Sequence, residues 1–161
     1  MLIRPAEDDD HAAIHAVVAA AFGQPDEAEL VDALRADGDV LVELVAEEDG
    51  VLVGHVLLSP LATDTGQRFA ALAPLSVIPG RQKDGLGTAL MQVAHELCRA
   101  AGVEAVIVLG HPDYYPRAGY SAAAATRVTA PFSGPSFMAL ALTPGALDQP
   151  VTVTYAKAFG V

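Results

Sequence analysis

The stretch VIPGRQKDGLGTALM, Val77 to Met91, passes from a β-branched pair through a proline and a charged loop into a helical pattern that opens on two glycines. Where a turn enters a helix, the first backbone N–H groups point outward without partners, and glycine lets a ligand come close enough to accept from them. That is chemistry for an anion, and a diphosphate suits it. Arg81 and Lys83, two of only nine basic residues, stand at the same turn. Two familiar phosphate templates do not fit. Gly80 and Gly85 have the spacing of a triphosphate loop, yet Leu86 and Gly87 stand where Lys and Ser/Thr are required. Gly85 and Gly87 could open a dinucleotide fingerprint, yet Leu90 replaces its third glycine, and no acidic partner follows on a next strand at about 20 residues.

A strand must deliver the chain to this turn and a helix must carry it away. FAALAPLSVIP, 69 to 79, has the composition of a strand, and Pro74 within it demands an edge position or a bulge because proline cannot donate to a ladder. Downstream, Leu86, Leu90, Val93, Ala94, Leu97 and Ala101 recur at intervals of three and four, and Gly102 closes that helix. Upstream, MLIRPA predicts a first strand, and Asp8 to Asp10 supply a cap and an acidic first turn for a helix carrying Ile14, Val17, Val18, Ala21 and Phe22. A second helix follows with Leu30, Val31 and Leu34 and ends at Gly38. Two runs rich in Val and Leu, joined by Glu48-Asp49-Gly50, predict a hairpin. VEAVIVLG predicts a buried strand, HPDYYPRAGY a compact polar turn, and SFMALAL and VTVTY two later strands. The order β, α, α, β, β, β, α, β, turn, β, β predicts an α/β fold: one mixed sheet with helices, in one domain.

The bulk composition narrows the partners. With 161 residues, 52% hydrophobic and 18% charged, the chain has the size and make-up of one globular domain. No apolar run approaches the roughly 20 residues needed to span a bilayer, and no basic region followed by an apolar stretch opens the sequence, so no membrane is expected as partner and the cytoplasm is the expected compartment. The net charge of -11 argues against nucleic acid. Cys98 stands alone, with no Cys or His at metal-ligand spacing, so no metal is expected. Residues 1 to 50 carry 14 acidic and two basic side chains, and the rest of the chain is near balance. Such a face keeps a protein soluble, and it also attracts a cationic substrate.

The pattern Val77, Pro79, Gln82, Gly85, Leu86, Gly87, Thr88, Leu90, Met91 closely resembles the acetyl-CoA signature of the GCN5-related N-acetyltransferase (GNAT) superfamily. The element order over residues 1 to 155 looks like that fold, and LAPLSVIP followed by VLGHPDYYPRAGY resembles its YhbS-like bacterial branch. The resemblance implies a single N-acetyltransferase domain over 1–161, whose central, mostly antiparallel sheet splays between its fourth and fifth strands. It implies acetyl-CoA as donor and CoA as product. The pantetheine arm would lie on the backbone of Leu75, Ser76 and Val77. The diphosphate would sit on N–H groups running from Gln82 through Lys83, Asp84, Gly85 and Leu86 to Gly87, with Thr88 nearby. The acceptor would be a primary amine, on a small molecule or a protein, attacking directly in a ternary complex. Members of the superfamily are often homodimers.

An alkylammonium has a pKa near 10.4, so on the order of one molecule in a thousand carries the attacking lone pair at neutral pH, and deprotonation must be assisted. Glu43, Glu47, His55, His111 or a water relay could provide the base, and the sequence does not rank them. YPRAGY matches the superfamily element Tyr-x-x-x-Gly-Phe/Tyr, which assigns protonation of the leaving sulfur to Tyr115. A phenol with a pKa near 10 stays protonated at pH 7 and can donate. Tyr114 beside it is expected to pack or to line the pocket. Three departures stand out. Lys83 replaces the first glycine of the usual form, Asp84 brings a carboxylate to a phosphate site and should weaken cofactor affinity, and His111 is this chain's own. The competing reading is an acyl-CoA sensor or interaction domain of the same fold without turnover, and a longer acyl group is a further option.

Overall fold

The computed structural model describes residues 1–161. Strand β1 (Leu2–Pro5) leads through a 3-10 turn at Asp8–Asp10 into helix α1 (His11–Phe22), followed by α2 (Asp26–Ala36). Strands β2 (Val42–Glu48), β3 (Val51–Thr63) and β4 (Phe69–Val77) come next, then helix α3 (Leu86–Ala100) and strand β5 (Ala105–Leu109). The chain ends with β6 (Val128–Thr129), β7 (Phe137–Ala141) and β8 (Val151–Thr154). No helix is long and apolar enough to cross a membrane.

Each expected element is present, with two differences. The acidic run does not cap α1 through a side chain. The Asp10 carboxylate instead accepts the Glu7 N–H at 2.8 Å and two bonds from the Arg4 guanidinium at 2.7 and 2.9 Å, which fastens β1 to the start of the helix. Those Arg4 bonds hold the Asp10 carboxyl down to about 2. Strand β6 has only two residues, too few to show an alternation, and its pairing with β8 is what defines it.

The strands lie in the order β1-β2-β3-β4-β5-β7, with β8 on the far end of β3 and β6 on β8. Pairing along this path is antiparallel except between β4 and β5. The β2–β3 hairpin turns at Asp49 and Gly50, both left-handed at φ 52° and 79°, which is the twist-matched two-residue turn that an Asp-Gly pair favours. One face of the sheet packs on α3, where Leu86, Leu90, Met91 and Ala94 meet Leu44, Val56, Leu58 and Leu72. The opposite face carries α1 and α2, whose Ile14, Val18, Val31 and Leu34 close over Val45 and Leu57. Successive residues of a strand alternate between faces, so His55 and Ser59 share the α1/α2 face with Leu57.

Candidate functional site

The site lies where β4 and β5 part. They are paired only between Phe69–Ala71 and Ala105–Ile107. Beyond Ala71, β4 keeps β3 on one side and has no strand on the other, while Val108 and Leu109 of β5 stay paired to β7. Between Leu72 and Leu75, β4 uses one more residue than β3 does between Val56 and Leu58, a bulge that falls on Ala73 and Pro74. Proline has no N–H to give a ladder, so the strand bends where its sequence cannot pair. The result is a wedge lined on one side by the Leu75–Val77 edge of β4, which no other strand covers.

The wedge opens onto the glycine turn. Gln82 Nε2 donates to the Val77 carbonyl at 3.0 Å, tying the turn back to the strand end. Lys83 adopts φ 69°, a left-handed conformation that a β-carbon disfavours, at the position where the family pattern carries glycine. Gly85 takes φ 89° and sets α3 going with no side-chain cap. The N–H groups of Gly87 and Thr88 have no protein acceptor, while the Leu86 N–H reaches the Asp84 carboxylate at 3.3 Å. The second Asp84 oxygen accepts from Arg81 Nε at 2.8 Å, and Arg81 also grips Glu48. Arg81 is the main reason that the Asp84 carboxyl sits below its ordinary range. Arg81 is therefore largely neutralised by two carboxylates, and Lys83 is the free cation of the turn.

On the other side of the wedge stand the two tyrosines. Tyr115 begins a 3-10 turn, Tyr115–Ala118, and its ring meets Tyr114 and Tyr120 edge-on, with centroids 5.1 and 5.8 Å apart. It also lies flush on the end of β5: a β-carbon at Gly110 would come within 2.3 Å of Tyr115 Cε2. Burial and the neighbouring Tyr114 push the Tyr115 phenol up to about 12, so it stays protonated. The Tyr114 hydroxyl reaches further into the cleft, against Gly87 on α3 and beside Leu75 on β4; a β-carbon at Gly87 would lie 2.3 Å from that oxygen. Any larger residue at 87 would displace the Tyr114 hydroxyl.

The four candidate bases separate in the structure. Glu47 pairs with Arg4 at 3.5 Å, and His111 is exposed, its carbonyl taking the Tyr114 and Tyr115 N–H groups at 3.1 and 3.3 Å. Glu43 and His55 come together. His55 Nε2 lies 2.8 Å from Glu43 Oε2, and Arg35 of α2 donates to the same oxygen at 2.6 Å and to the other at 3.4 Å. Burial alone would raise the Glu43 carboxyl, but the bonds from His55 and Arg35 outweigh it and hold the group below its usual range. Arg35, one of two basic residues in the first fifty, is a member of this cluster that the sequence reading did not single out. Cys98 is fully buried on α3, its thiol pushed up to about 11 by burial, and takes no part.

Comparison with known proteins agrees with this geometry. The profile of the Acetyltransferase (GNAT) family matches residues 6–120. The chain is 36% identical over 157 residues to the uncharacterized N-acetyltransferase YjhQ of Escherichia coli K12, covering 90% of this chain and 84% of that one. It is 34% identical over 126 residues to the uncharacterized N-acetyltransferase YhbS of the same strain, covering 77% and 75%. Among solved structures, Escherichia coli YhbS in complex with CoA superposes with a TM-score of 0.91 at 31% identity over 99% of this chain and 92% of that one. A GNAT family acetyltransferase from Brucella melitensis in complex with acetyl-CoA gives 0.82 at 34% identity over 98% and 97%. The chain belongs to the acetyltransferase (GNAT) family, as a YhbS-like member.

Proposed function

We propose that this protein transfers the acetyl group of acetyl-CoA to a primary amine by direct attack in a ternary complex. The observation that carries the reading is the continuous line from the unpartnered edge of β4 past Ala71 to the acceptor-free N–H groups of Gly87 and Thr88, with a protonated Tyr115 on the facing side. A free strand edge suits a ligand rich in amides, and a helix start suits a diphosphate. The relatives solved with CoA and acetyl-CoA support the same occupant. The residues present fit it: the backbone of Leu75, Ser76 and Val77 would hold the pantetheine arm, and the turn from Gln82 to Gly87, with Thr88, the diphosphate. When bound, acetyl-CoA supplies an acetyl group activated as a thioester, which the amine takes as the CoA thiol departs.

Tyr115 gives its phenolic proton to the departing sulfur. The Tyr114 ring closes the cleft beside Leu75 and keeps water from it. The acceptor is a small-molecule or protein amine, and a cationic one fits best, because Asp26, Glu27 and Glu29 crowd the first turn of α2 on the side from which the amine would come. The test is thiol release from acetyl-CoA across a panel of cationic and neutral amines, beside calorimetry of CoA binding. Turnover with one or more amines, lost about a hundredfold in Tyr115→Phe at unchanged CoA affinity, is the expected result. CoA binding without thiol release for any amine would sink the enzyme reading in favour of a sensor.

A further inference from the structure

We propose that Ser76, His55 and Glu43 form the relay that takes the proton from the acceptor ammonium, an assignment that rests on the acetyl-transfer reading above. Glu43 is ionised and can only accept, so the His55 nitrogen facing it, Nε2, carries the hydrogen. That leaves a lone pair on Nδ1. His55 is 0% exposed, and its Nδ1 has no partner in the protein. Directly across the β3–β4 ladder from His55 stands Ser76, 1% exposed, whose Oγ has no partner either. Residues opposite each other in an antiparallel pair project from the same face with β-carbons about 4.5–5.5 Å apart. A hydroxyl donor and an imidazole acceptor, both buried, thus share one face of the sheet; they are not hydrogen-bonded to each other, and a rotation of the Ser76 side chain is what would join them. Buried polar groups in proteins are nearly always paired, so two unpaired ones opposite each other on adjacent strands call for an explanation.

The placement joins this pair to the site. Ser76 lies between Leu75 and Val77 on the strand edge that no other strand covers, and its side chain points to the α1/α2 face. Ser59, the other buried hydroxyl without a partner, is on that face too, opposite Ala71 where β4 begins to leave β5. Behind His55, Arg35 grips both Glu43 oxygens and touches Asp32 at 3.5 Å, and Asp32 meets His15 of α1 at 2.9 Å near the surface. Arg35 never gives up its proton, so this outer arm keeps Glu43 charged and conducts nothing. The other charged group of β2 on this face, Glu47, is turned to Arg4, which also holds Asp10. β4 contributes only the Ser76 hydroxyl opposite the ring, and α1 covers the face with Ile14 and Val18.

The proton balance is simple. One N–H bond of the acceptor ammonium breaks and nitrogen keeps the pair; the proton goes to Ser76 Oγ as the Ser76 hydroxyl proton goes to His55 Nδ1. Serine ends as it began, and the new imidazolium is held by the Glu43 carboxylate until it returns its proton to water by the same path. Ser76 is the member on the strand that borders the open edge, and His55 and Glu43 act through it as positioning residues. In 15N-histidine spectra of the cofactor-free protein, His55 should show the Nε2–H tautomer. The kcat of the parent should rise with pH through an ionisation that His55→Gln abolishes. That variant should lose about a hundredfold in kcat at neutral pH, regain part of it in alkali, and bind CoA as before. Should His55→Gln not fold, Ser76→Ala carries the test: it should keep the tautomer and lower kcat with the acetyl-CoA KM unchanged. An Nδ1–H tautomer, a His55→Gln profile parallel to the parent's, or a fully active Ser76→Ala overturns the relay alone. A parent that binds CoA but acetylates no amine overturns both the relay and the reaction it serves.

Discussion

Gly110→Ala probes how Tyr115 is held, because the substitution pushes on the ring without touching its hydroxyl. The added β-carbon would stand 2.3 Å from Cε2 and 2.9 Å from Cδ2 of Tyr115. Carbon atoms settle at about 3.5–4.0 Å, so the ring or the strand end must retreat by about 1.2 Å. The backbone at Gly110 is outside the left-handed region, so the whole cost is steric. The ring has little freedom to swing, since Tyr114 and Tyr120 meet it edge-on from two sides. Overpacking of this kind costs about 1–3 kcal/mol, and for a domain of this size each kcal/mol lowers Tm by about 2–4 °C. A displacement near 1 Å of a group that must meet a reacting atom costs about a hundredfold in rate. We therefore expect a lower melting temperature, a kcat for thiol release reduced about a hundredfold, and a CoA Kd unchanged by calorimetry, because the atoms nearest an added β-carbon at Gly110 all belong to Tyr115 and none to the turn at Gln82 to Thr88. A variant that melts like the parent refutes the packing of Tyr115 on β5. One that melts lower but keeps the parent's kcat refutes Tyr115 as the proton donor.

Asp84→Asn removes a negative charge from the turn and loosens its hold on Arg81, so CoA should bind about two- to fivefold tighter by calorimetry, with the gain shrinking at high salt; equal or weaker binding at low salt contradicts this. His95 is buried beside Tyr120 at 2.7 Å, and burial, with Arg99 nearby, lowers its imidazole to about 4 against an ordinary value near 6.5. Below pH 6.5 the unfolded chain takes up a proton that the folded one refuses. Stability is thus fully present above 6.5 and falls as the pH drops to about 4, by on the order of 3 kcal/mol. Urea unfolding at pH 7 and pH 4.5 measures it; His95→Gln should start less stable but lose less on acidification, and an equal loss in both proteins would remove His95 as the cause.

The parts of this site that were legible in the sequence are those whose cause is local. Gly85 and Gly87 announce a turn into a helix, Pro74 announces a strand that cannot pair throughout, and Asp49-Gly50 announces a hairpin, since each residue restricts its own backbone. The Tyr114 contact with Gly87 was not legible, because it joins residues 27 positions apart through the docking of a loop on a helix. Nor was the grip of Arg81 on Glu48, which ties the glycine turn to the end of β2 and leaves Lys83 as its free charge. Composition counts such charges but does not say which are already spoken for.

The pairing of Glu43 with His55 shows why a candidate base can be named from sequence and still not be recognised. A two-residue turn that sets Glu48 opposite Val51, continued regularly, would place Glu43 opposite Val56 and His55 opposite Leu44, and the two side chains would project from opposite faces of the sheet. Instead the register shifts between Ala46 and Glu47: Glu47 pairs with Leu52, yet Ala46 pairs with Gly54 and Val45 with His55. That single extra residue on β3 turns Glu43, Val45, His55 and Leu57 to one face, under α1 and α2, where Arg35 can reach the carboxylate. The sequence does carry a mark of it in Gly54, because glycine inside a strand often signals a bulge or a close approach. Both hold here: a β-carbon at Gly54 would lie 3.0 Å from Leu90 Cδ1 on α3 and 3.3 Å from the Ser76 carbonyl on β4. The same residue at which the strand shifts register therefore also lets α3 and β4 close in beside it, so the bulge that assembles the His55–Glu43 pair sits next to the strand proposed to hold the cofactor.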